Sequence, residues 1–319
     1  MTETHPNVVV LREGTEGLSM ESYAAALRER LPDAAVRHAR TPGKERELVA
    51  NARVVTGVSI DDALLERARR LELFACAFAG TEHLPTDRLR ARGVAVTNAG
   101  GIHAPGIAEQ VLGYVLTFAR RLDEGHRRKR RREPRHFRST EFAGSTATIV
   151  GLGSIGRAVT KRLQGFDVET IGVRYTPAKG GPTDEVYGFD ADALVTALAR
   201  TDYLVLACPL TDTTRKLIGP AELATLPPSA VLVNVARGAI VDTDALVTAL
   251  GRRAVRGAAL DVTDPEPLPP DHPLWNVENC LITPHTGGHT PEHWQRLAAI
   301  VSRNVVRLDT DEDLENRVP

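Results

Sequence analysis

Short runs of β-branched residues alternate along the chain with stretches in which Leu and Ala recur every three or four positions. Strands covered on both faces read as continuous apolar runs and amphipathic helices read with a 3.6-residue period, so this alternation predicts parallel sheets covered by helices. Strands are expected at Val8–Leu11, Ala35–His38, Val54–Thr56, Leu73–Ala77 and Val94–Thr97. Between them, Met20–Leu31 and Asp61–Arg70 read as helices, the second opening on an acidic turn that suits the helix dipole. These elements make one small doubly wound domain. A single long helix is expected from Gly106 to Arg130, where Ile107, Val111, Tyr114, Val115, Phe118 and Leu122 form a broad apolar face.

A second series begins at Thr146. Its strands are expected at Ala147–Val150, Thr170–Val173, Tyr203–Ala207, Val231–Val235, Ala258–Leu260 and Cys280–Thr283. Six strands complete a dinucleotide-binding sheet, so the last helix, Pro291–Leu308, is expected to cross back onto the first domain.

With 319 residues, 42% of them hydrophobic, the chain can fill two cores. Lys and Arg total 40 against 41 Asp and Glu, so no global field draws the protein to nucleic acid or an anionic membrane. Cys76, Cys208 and Cys280 are far apart and match no metal-ligand or redox spacing, which fits a reducing cytoplasm; no metal is expected. The polar start, Met1 to Pro6, has no basic lead followed by an apolar run, and no apolar stretch reaches membrane length; secretion and membrane spanning are not expected.

Gly151-Leu152-Gly153-Ser154-Ile155-Gly156 follows the apolar strand Thr148-Ile149-Val150 and opens a helix containing Ala158, Val159 and Leu163. In that context the glycines allow a tight turn, leave room for a pyrophosphate and let helix and strand pack closely. The fold class is therefore α/β: two doubly wound parallel-sheet domains, a Rossmann dinucleotide-binding domain inserted into a smaller flavodoxin-like substrate domain. The expected bounds are 100–286 for the former, and 1–99 plus 287–319 for the latter.

Three further segments begin at carboxyl ends of expected strands, the edge where open α/β sheets bind ligands: Asn234-Val235-Ala236-Arg237-Gly238, Leu260-Asp261-Val262-Thr263-Asp264-Pro265-Glu266-Pro267 and Thr283-Pro284-His285-Thr286-Gly287-Gly288. Arg237, Glu266 and His285 can therefore converge. A guanidinium binds a carboxylate in a fork and polarises a neighbouring carbonyl; an imidazolium donates a proton as hydride arrives; a carboxylate on the other ring nitrogen orients the imidazole and favours its protonated form. These types suit hydride transfer to a 2-keto acid.

At these segments, and at Val94-Ala95-Val96-Thr97-Asn98 with Ile107-Ala108-Glu109-Gln110, the sequence resembles the D-isomer-specific 2-hydroxyacid dehydrogenases, the family of phosphoglycerate, glycerate and D-lactate dehydrogenases. The resemblance covers nearly the whole chain. It implies that Arg237 binds the substrate carboxylate and carbonyl, His285 is the acid-base, Glu266 its partner, and Asp261 holds the nicotinamide carboxamide. It implies substrate-binding amides at Phe78-Ala79-Gly80-Thr81 and a cofactor surface that includes Val235, Ala236, His285 and Gly287. Cys208 and Pro209 are expected to line the adenine pocket, Cys208 as packing and not as a nucleophile. A homodimer through the helix near 106–120 is also implied. The end at Pro319 leads us to expect no added regulatory domain of the kind a feedback-controlled phosphoglycerate dehydrogenase carries.

Two departures qualify the resemblance. The strand end Ile171-Gly172-Val173-Arg174-Tyr175-Thr176 has an arginine where the family usually shows the acidic residue that holds the ribose of NAD. A guanidinium binds a 2′-phosphate instead, with Tyr175, Thr176 and Lys179 as further donors, so NADP(H) is expected over NAD(H). The nearest acid, Glu169, falls at the start of that strand. Second, the basic run from Arg127 to Arg138, preceded by His126, reads as a solvated helix end, because it lacks the interleaved aromatics of a nucleic-acid surface. No tryptophan lies between Arg120 and Gly144, where related enzymes often carry one near the partner's active site. Two rival readings keep the scaffold: formate or phosphite oxidation, disfavoured because Glu266 stands where formate enzymes place glutamine, and a cofactor-sensing co-repressor, which turnover of a 2-keto acid would set aside.

Overall fold

Asn7–Val10 (β1), Ala35–His38 (β2), Val54–Gly57 (β3), Leu73–Cys76 (β4) and Ala95–Thr97 (β5) pair in parallel in the order β2-β1-β3-β4-β5, the order of flavodoxin-like sheets. This computed structural model describes residues 7–14, 19–310 and 312–318; Met1–Pro6 and Pro319, on which the expectations about the two chain ends rest, lie outside them. Successive side chains of a strand point to opposite faces. Val8, Val10, Val54 and Leu73 accordingly face a core with Tyr23 and Leu27 of the helix Met20–Arg30, whereas Val9, Val55, Phe74 and Val96 face a second core with Leu65 and Leu89. The last helix, His293–Arg307, crosses back as expected: Trp294 stacks on Tyr23 at 4.9 Å between ring centroids, and Leu297 and Val301 join the same core. Each such fully buried side chain contributes about 1.5–3 kcal/mol.

The second sheet has seven strands, not six: Thr146–Val150 (β6), Glu169–Val173 (β7), Glu185–Tyr187 (β8), Tyr203–Leu206 (β9), Val231–Asn234 (β10), Gly257–Leu260 (β11) and Cys280–Ile282 (β12). All pair in parallel in the order β12-β11-β10-β9-β6-β7-β8, the dinucleotide-binding order with an added edge strand. The strand missing from the sequence reading is β8, which is short, half-buried and without an apolar run.

The long helix expected over Gly106–Arg130 is two helices, Ala104–Arg120 and Leu122–Arg131, meeting at Arg121 in the left-handed region at φ 51°. The first buries Val111, Tyr114, Val115 and Phe118 against Ile149, Val159 and Val233. Its apolar stripe ends at Leu122, which is exposed, and the second helix buries no residue, so nothing holds the two collinear. The Arg256 guanidinium caps the break by donating to the Phe118 carbonyl.

By its contacts the chain divides into two units, Met1–Ile102 with Thr290–Pro319, and His103–His289. Among the described residues no helix is long and apolar enough to cross a membrane.

Candidate active site

The second unit presents its polar chemistry at the carboxyl ends of the strands. Gly151 follows β6 at φ 98°, and its amide donates to the Val173 carbonyl at 2.8 Å. A Cβ there would lie 2.7 Å from the backbone of Ala207 and Cys208, so only glycine fits. Gly153 caps the helix Ser154–Leu163, and a Cβ on it would stand in open space. The first amides of a helix have no intrahelical partner and attract anions, so this open cradle fits the pyrophosphate of a dinucleotide. Ser154 is exposed, Ile155 half-buried and Gly156 buried in that first turn. Cys208 packs behind the loop, where burial pushes its thiol up to about 11; the exposed Pro209 accepts the Thr214 hydroxyl through its carbonyl at 2.7 Å.

Arg174 directly follows Val173, the residue that holds Gly151. Its guanidinium is half-buried and donates to the Gly180 carbonyl at 2.5 Å, which ties it to its own loop instead of leaving it in solvent. Tyr175 is 80% exposed and Thr176 and Lys179 are exposed. Glu169, at the opposite end of β7, is paired with Arg200 at 2.6 Å.

Arg237 leaves the end of β10 after the buried Val235 and Ala236. Buried Asn234 shapes that exit: its amide donates to the Arg237 carbonyl at 2.9 Å, and its side-chain oxygen accepts from the Ala236 amide at 3.1 Å. The exposed Arg237 guanidinium donates to the Ala236 carbonyl at 2.7 Å. The next residue, Gly238, abuts the neighbouring loop so closely that a Cβ would fall 2.0 Å from the Thr263 carbonyl group. From that loop the Thr263 amide donates to Glu266 Oε2 at 3.3 Å, and Glu266 Oε1 lies 2.6 Å from His285 Nδ1. Both side chains are about half exposed, at 41% and 52%, so the pair is open to a ligand.

His285 stands in the left-handed region at φ 52°, a conformation that a non-glycine residue holds only when its surroundings fix it. What fixes it is Asp261, 3% exposed at the end of β11. The Asp261 carbonyl accepts the His285 amide at 2.9 Å. Its carboxylate accepts the Thr283 hydroxyl at 2.5 Å, the Thr286 amide at 3.1 Å and the Gly287 amide at 3.0 Å. Thr283 in turn bonds the Tyr114 hydroxyl, whose phenol burial pushes above its ordinary range. Asp261 thus turns its carboxylate on the His285 loop, as a turn-forming aspartate does. Thr283, Tyr114 and Asn234 were not singled out as site residues from the sequence. Tyr114 was legible only as part of an apolar helix face.

Ala79, Gly80 and Thr81 belong to the other unit, on the loop after β4. There the Phe78 amide lies 3.4 Å from Cys76 Sγ, the Ala79 carbonyl accepts the Asn98 amide group at 2.7 Å, and the Thr81 carbonyl accepts the Leu84 amide at 3.0 Å. Among the described residues no group of three or more His, Cys, Asp or Glu could hold a metal ion.

Residues 112–287 match the family model described as D-isomer specific 2-hydroxyacid dehydrogenase, NAD binding domain. A glyoxylate reductase of Thermofilum pendens is 33% identical over 280 residues, covering 84% of this chain and 82% of its own. A D-3-phosphoglycerate dehydrogenase of Methanocaldococcus jannaschii is 32% identical over 268 residues, 83% of this chain and 51% of that longer protein. Among solved structures, a D-isomer specific 2-hydroxyacid dehydrogenase from Xanthobacter autotrophicus Py2, in complex with NADPH and MES, superposes with a TM-score of 0.79 at 28% identity, covering 99% of this chain and 98% of that one.

Proposed function

Because the chain belongs to the D-isomer-specific 2-hydroxyacid dehydrogenase family, we propose that Arg237, Glu266 and His285 carry its chemistry on a small 2-keto acid. The chain is an NAD(P)-dependent oxidoreductase that transfers a hydride between nicotinamide and the alpha carbon of a small D-2-hydroxy acid or 2-keto acid. The observation that carries the residue assignment is the 2.6 Å contact of His285 with Glu266 on the sheet edge that also bears the glycine loop.

The bound nicotinamide supplies the hydride in reduction and accepts it in oxidation. In reduction, Arg237 binds the substrate carboxylate in a fork and polarises the ketone, and protonated His285 gives its Nε2 proton to the forming alkoxide. Glu266, on Nδ1, fixes the ring and stabilises its positive charge; in oxidation His285 takes the proton back. Asp261, Thr283 and Tyr114 hold the loop on which the ring sits. The Gly151–Gly156 loop would hold the pyrophosphate, with Cys208 and Pro209 beside the adenine.

We infer a preference for NADP(H) over NAD(H), supported by Arg174 at the end of β7 and by the absence of a carboxylate from Arg174 to Thr176. A carboxylate there would repel a 2′-phosphate, whereas the remaining guanidinium N–H groups can donate to it. The names of the relatives make glyoxylate the first substrate to try. A homodimer through the helix near 106–120 and a cytoplasmic location complete the reading; the free Cys76, Cys208 and Cys280 suit a reducing compartment. The experiment that tests the assignment is reduction of 2-keto acids by the wild type and by His285→Ala, with cofactor affinity measured alongside.

A further inference from the structure

We propose that Asn316 is a positioning residue for substrate binding: through Asn98 it sets where the amides of Ala79, Gly80 and Thr81 point. The inference rests on the reading that these amides bind the substrate carboxylate. Among the described residues nothing accepts those three N–H groups, so they are free to donate. A row of free amides holds an anion well only when the backbone that carries it is itself held.

Little of that hold is local. On the far side of the loop the Thr81 carbonyl accepts the Leu84 amide at 3.0 Å; on the near side the Phe78 amide meets Cys76 Sγ at 3.4 Å, and sulfur is a weak acceptor. The Phe78 and Ala79 carbonyls are held from the segment that leaves β5. There the Ala99 amide donates to Phe78 at 3.0 Å, and the Asn98 side chain donates to Ala79 at 2.7 Å. Asn98 Oδ1 also accepts the Gly100 amide at 3.0 Å, which fixes the side chain from its other end. Yet β5 stops at Thr97, so no sheet ladder fixes Asn98 to Gly100.

Asn316 supplies the missing support. Its carbonyl accepts the Asn98 amide at 3.1 Å, and its side-chain amide donates to the Gly100 carbonyl at 2.8 Å and the Asn98 carbonyl at 3.3 Å. The fit is tight, since a Cβ on Gly100 would lie 3.4 Å from Asn316 Cγ. Asn316 sits in the left-handed region at φ 56°, which asparagine tolerates better than most residues. Both flanks of this turn are anchored. Before it, the fully buried Asn304 of the helix His293–Arg307 accepts the Glu315 amide at 2.8 Å and donates to the Glu315 carbonyl at 2.9 Å. After it, Arg317 forms an antiparallel bridge with Thr97, and the Val318 amide donates to the Val96 carbonyl at 2.8 Å. The last helix is thus connected to the substrate loop by a relay of two asparagines.

The test combines steady-state kinetics at saturating NADPH, on whichever of glyoxylate, hydroxypyruvate and pyruvate is reduced fastest, with hydrogen exchange over Asn98–Gly100. Asn316→Gly keeps the left-handed turn without strain and removes the side chain. Two hydrogen bonds go with it, so exchange at Ala99 and Gly100 should quicken, and KM for the keto acid should rise, by about fivefold or more. A carboxylate is bound alike in substrate and transition state, so kcat should stay within about twofold, and NADPH affinity likewise. Arg317→Ala, which removes an exposed side chain from the same segment, should change neither readout by more than about twofold. Should Asn316→Gly fail to fold, Asn98→Ser, which cuts the tie to Ala79 without adding a charge that repels the substrate, should raise KM in the same way. Gly80→Val disturbs the loop directly, because its Cβ would fall 2.6 Å from Glu82 Oε2; an unchanged KM there would remove the loop from substrate binding, and the proposal with it. A raised KM in Gly80→Val beside unmoved KM or exchange in Asn316→Gly, or a loss that falls on kcat or cofactor affinity instead, would overturn the role of Asn316 alone.

Discussion

The buried Asp261 carboxylate accepts the Gly287 amide at 3.0 Å, just beyond the left-handed His285, and so closes the turn that holds the imidazole. Asp261→Asn replaces one acceptor oxygen with a donor that faces a backbone N–H group. Losing a buried bond to a charged group costs about 1.5–3 kcal/mol, and a displaced ring costs rate. Denaturant unfolding should show that loss, and kcat should fall by about tenfold or more. Thr283→Val, which breaks the link between Tyr114 and Asp261, should act in the same direction to a smaller extent. An unchanged kcat in Asp261→Asn would remove it from the positioning role.

Glu266→Gln keeps a hydrogen bond to His285 Nδ1 but loses the negative charge beside the ring. Steady-state reduction should slow by about ten- to a hundredfold, since the charged state that gives up the proton is less favoured. Cofactor affinity should stay within about twofold, which binding titration would check. Full rate in this variant would mean that orientation alone is what Glu266 provides.

Arg174 supplies the cofactor prediction. Specificity constants should favour NADPH over NADH by at least about tenfold, or about 1.4 kcal/mol, and Arg174→Asp should reverse the ratio. Its tie to the Gly180 carbonyl presets the guanidinium near the end of β7. Equal constants in the wild type, or a ratio that does not move in the variant, would count against this reading.

Burial pushes the thiols of Cys208 and Cys280 up to about 11 and about 12, and raises that of Cys76. A raised thiol has less thiolate at a given pH, about one part in a thousand or less for Cys208 at pH 8. Alkylation of the native protein at pH 8 should therefore be slow at all three positions, rise at Cys208 only as pH approaches 11, and become fast on unfolding. Mass spectrometry of iodoacetamide-treated protein resolves the sites; rapid native labelling of Cys208 would contradict its assignment as packing.

What was legible in the sequence followed from periodicity and glycine context. Runs such as Leu73–Cys76 and Val231–Asn234 are apolar because both faces of each sheet are covered, and strand ends then bring Arg237, Glu266 and His285 to one edge. What was hidden depends on tertiary contacts. The break at Arg121 is invisible because the apolar pattern continues to Leu122, and only the lack of anything to bury beyond it ends the helix. Edge strand β8 has no apolar run to announce it. Tyr114 carries both a buried ring and a hydroxyl, and periodicity registers only the ring.

Hydride transfer to a 2-keto acid with proton delivery by His285 is tested by oxidation of NADPH by the protein with glyoxylate, hydroxypyruvate and pyruvate, with products separated by chiral chromatography. One hydroxy acid per cofactor oxidised is expected, the D-isomer wherever the product is chiral, with a loss of roughly a hundred- to ten-thousand-fold in His285→Ala and cofactor affinity within a few-fold. Formation of the L-isomer, or a His285→Ala variant that keeps most of its rate, would contradict it.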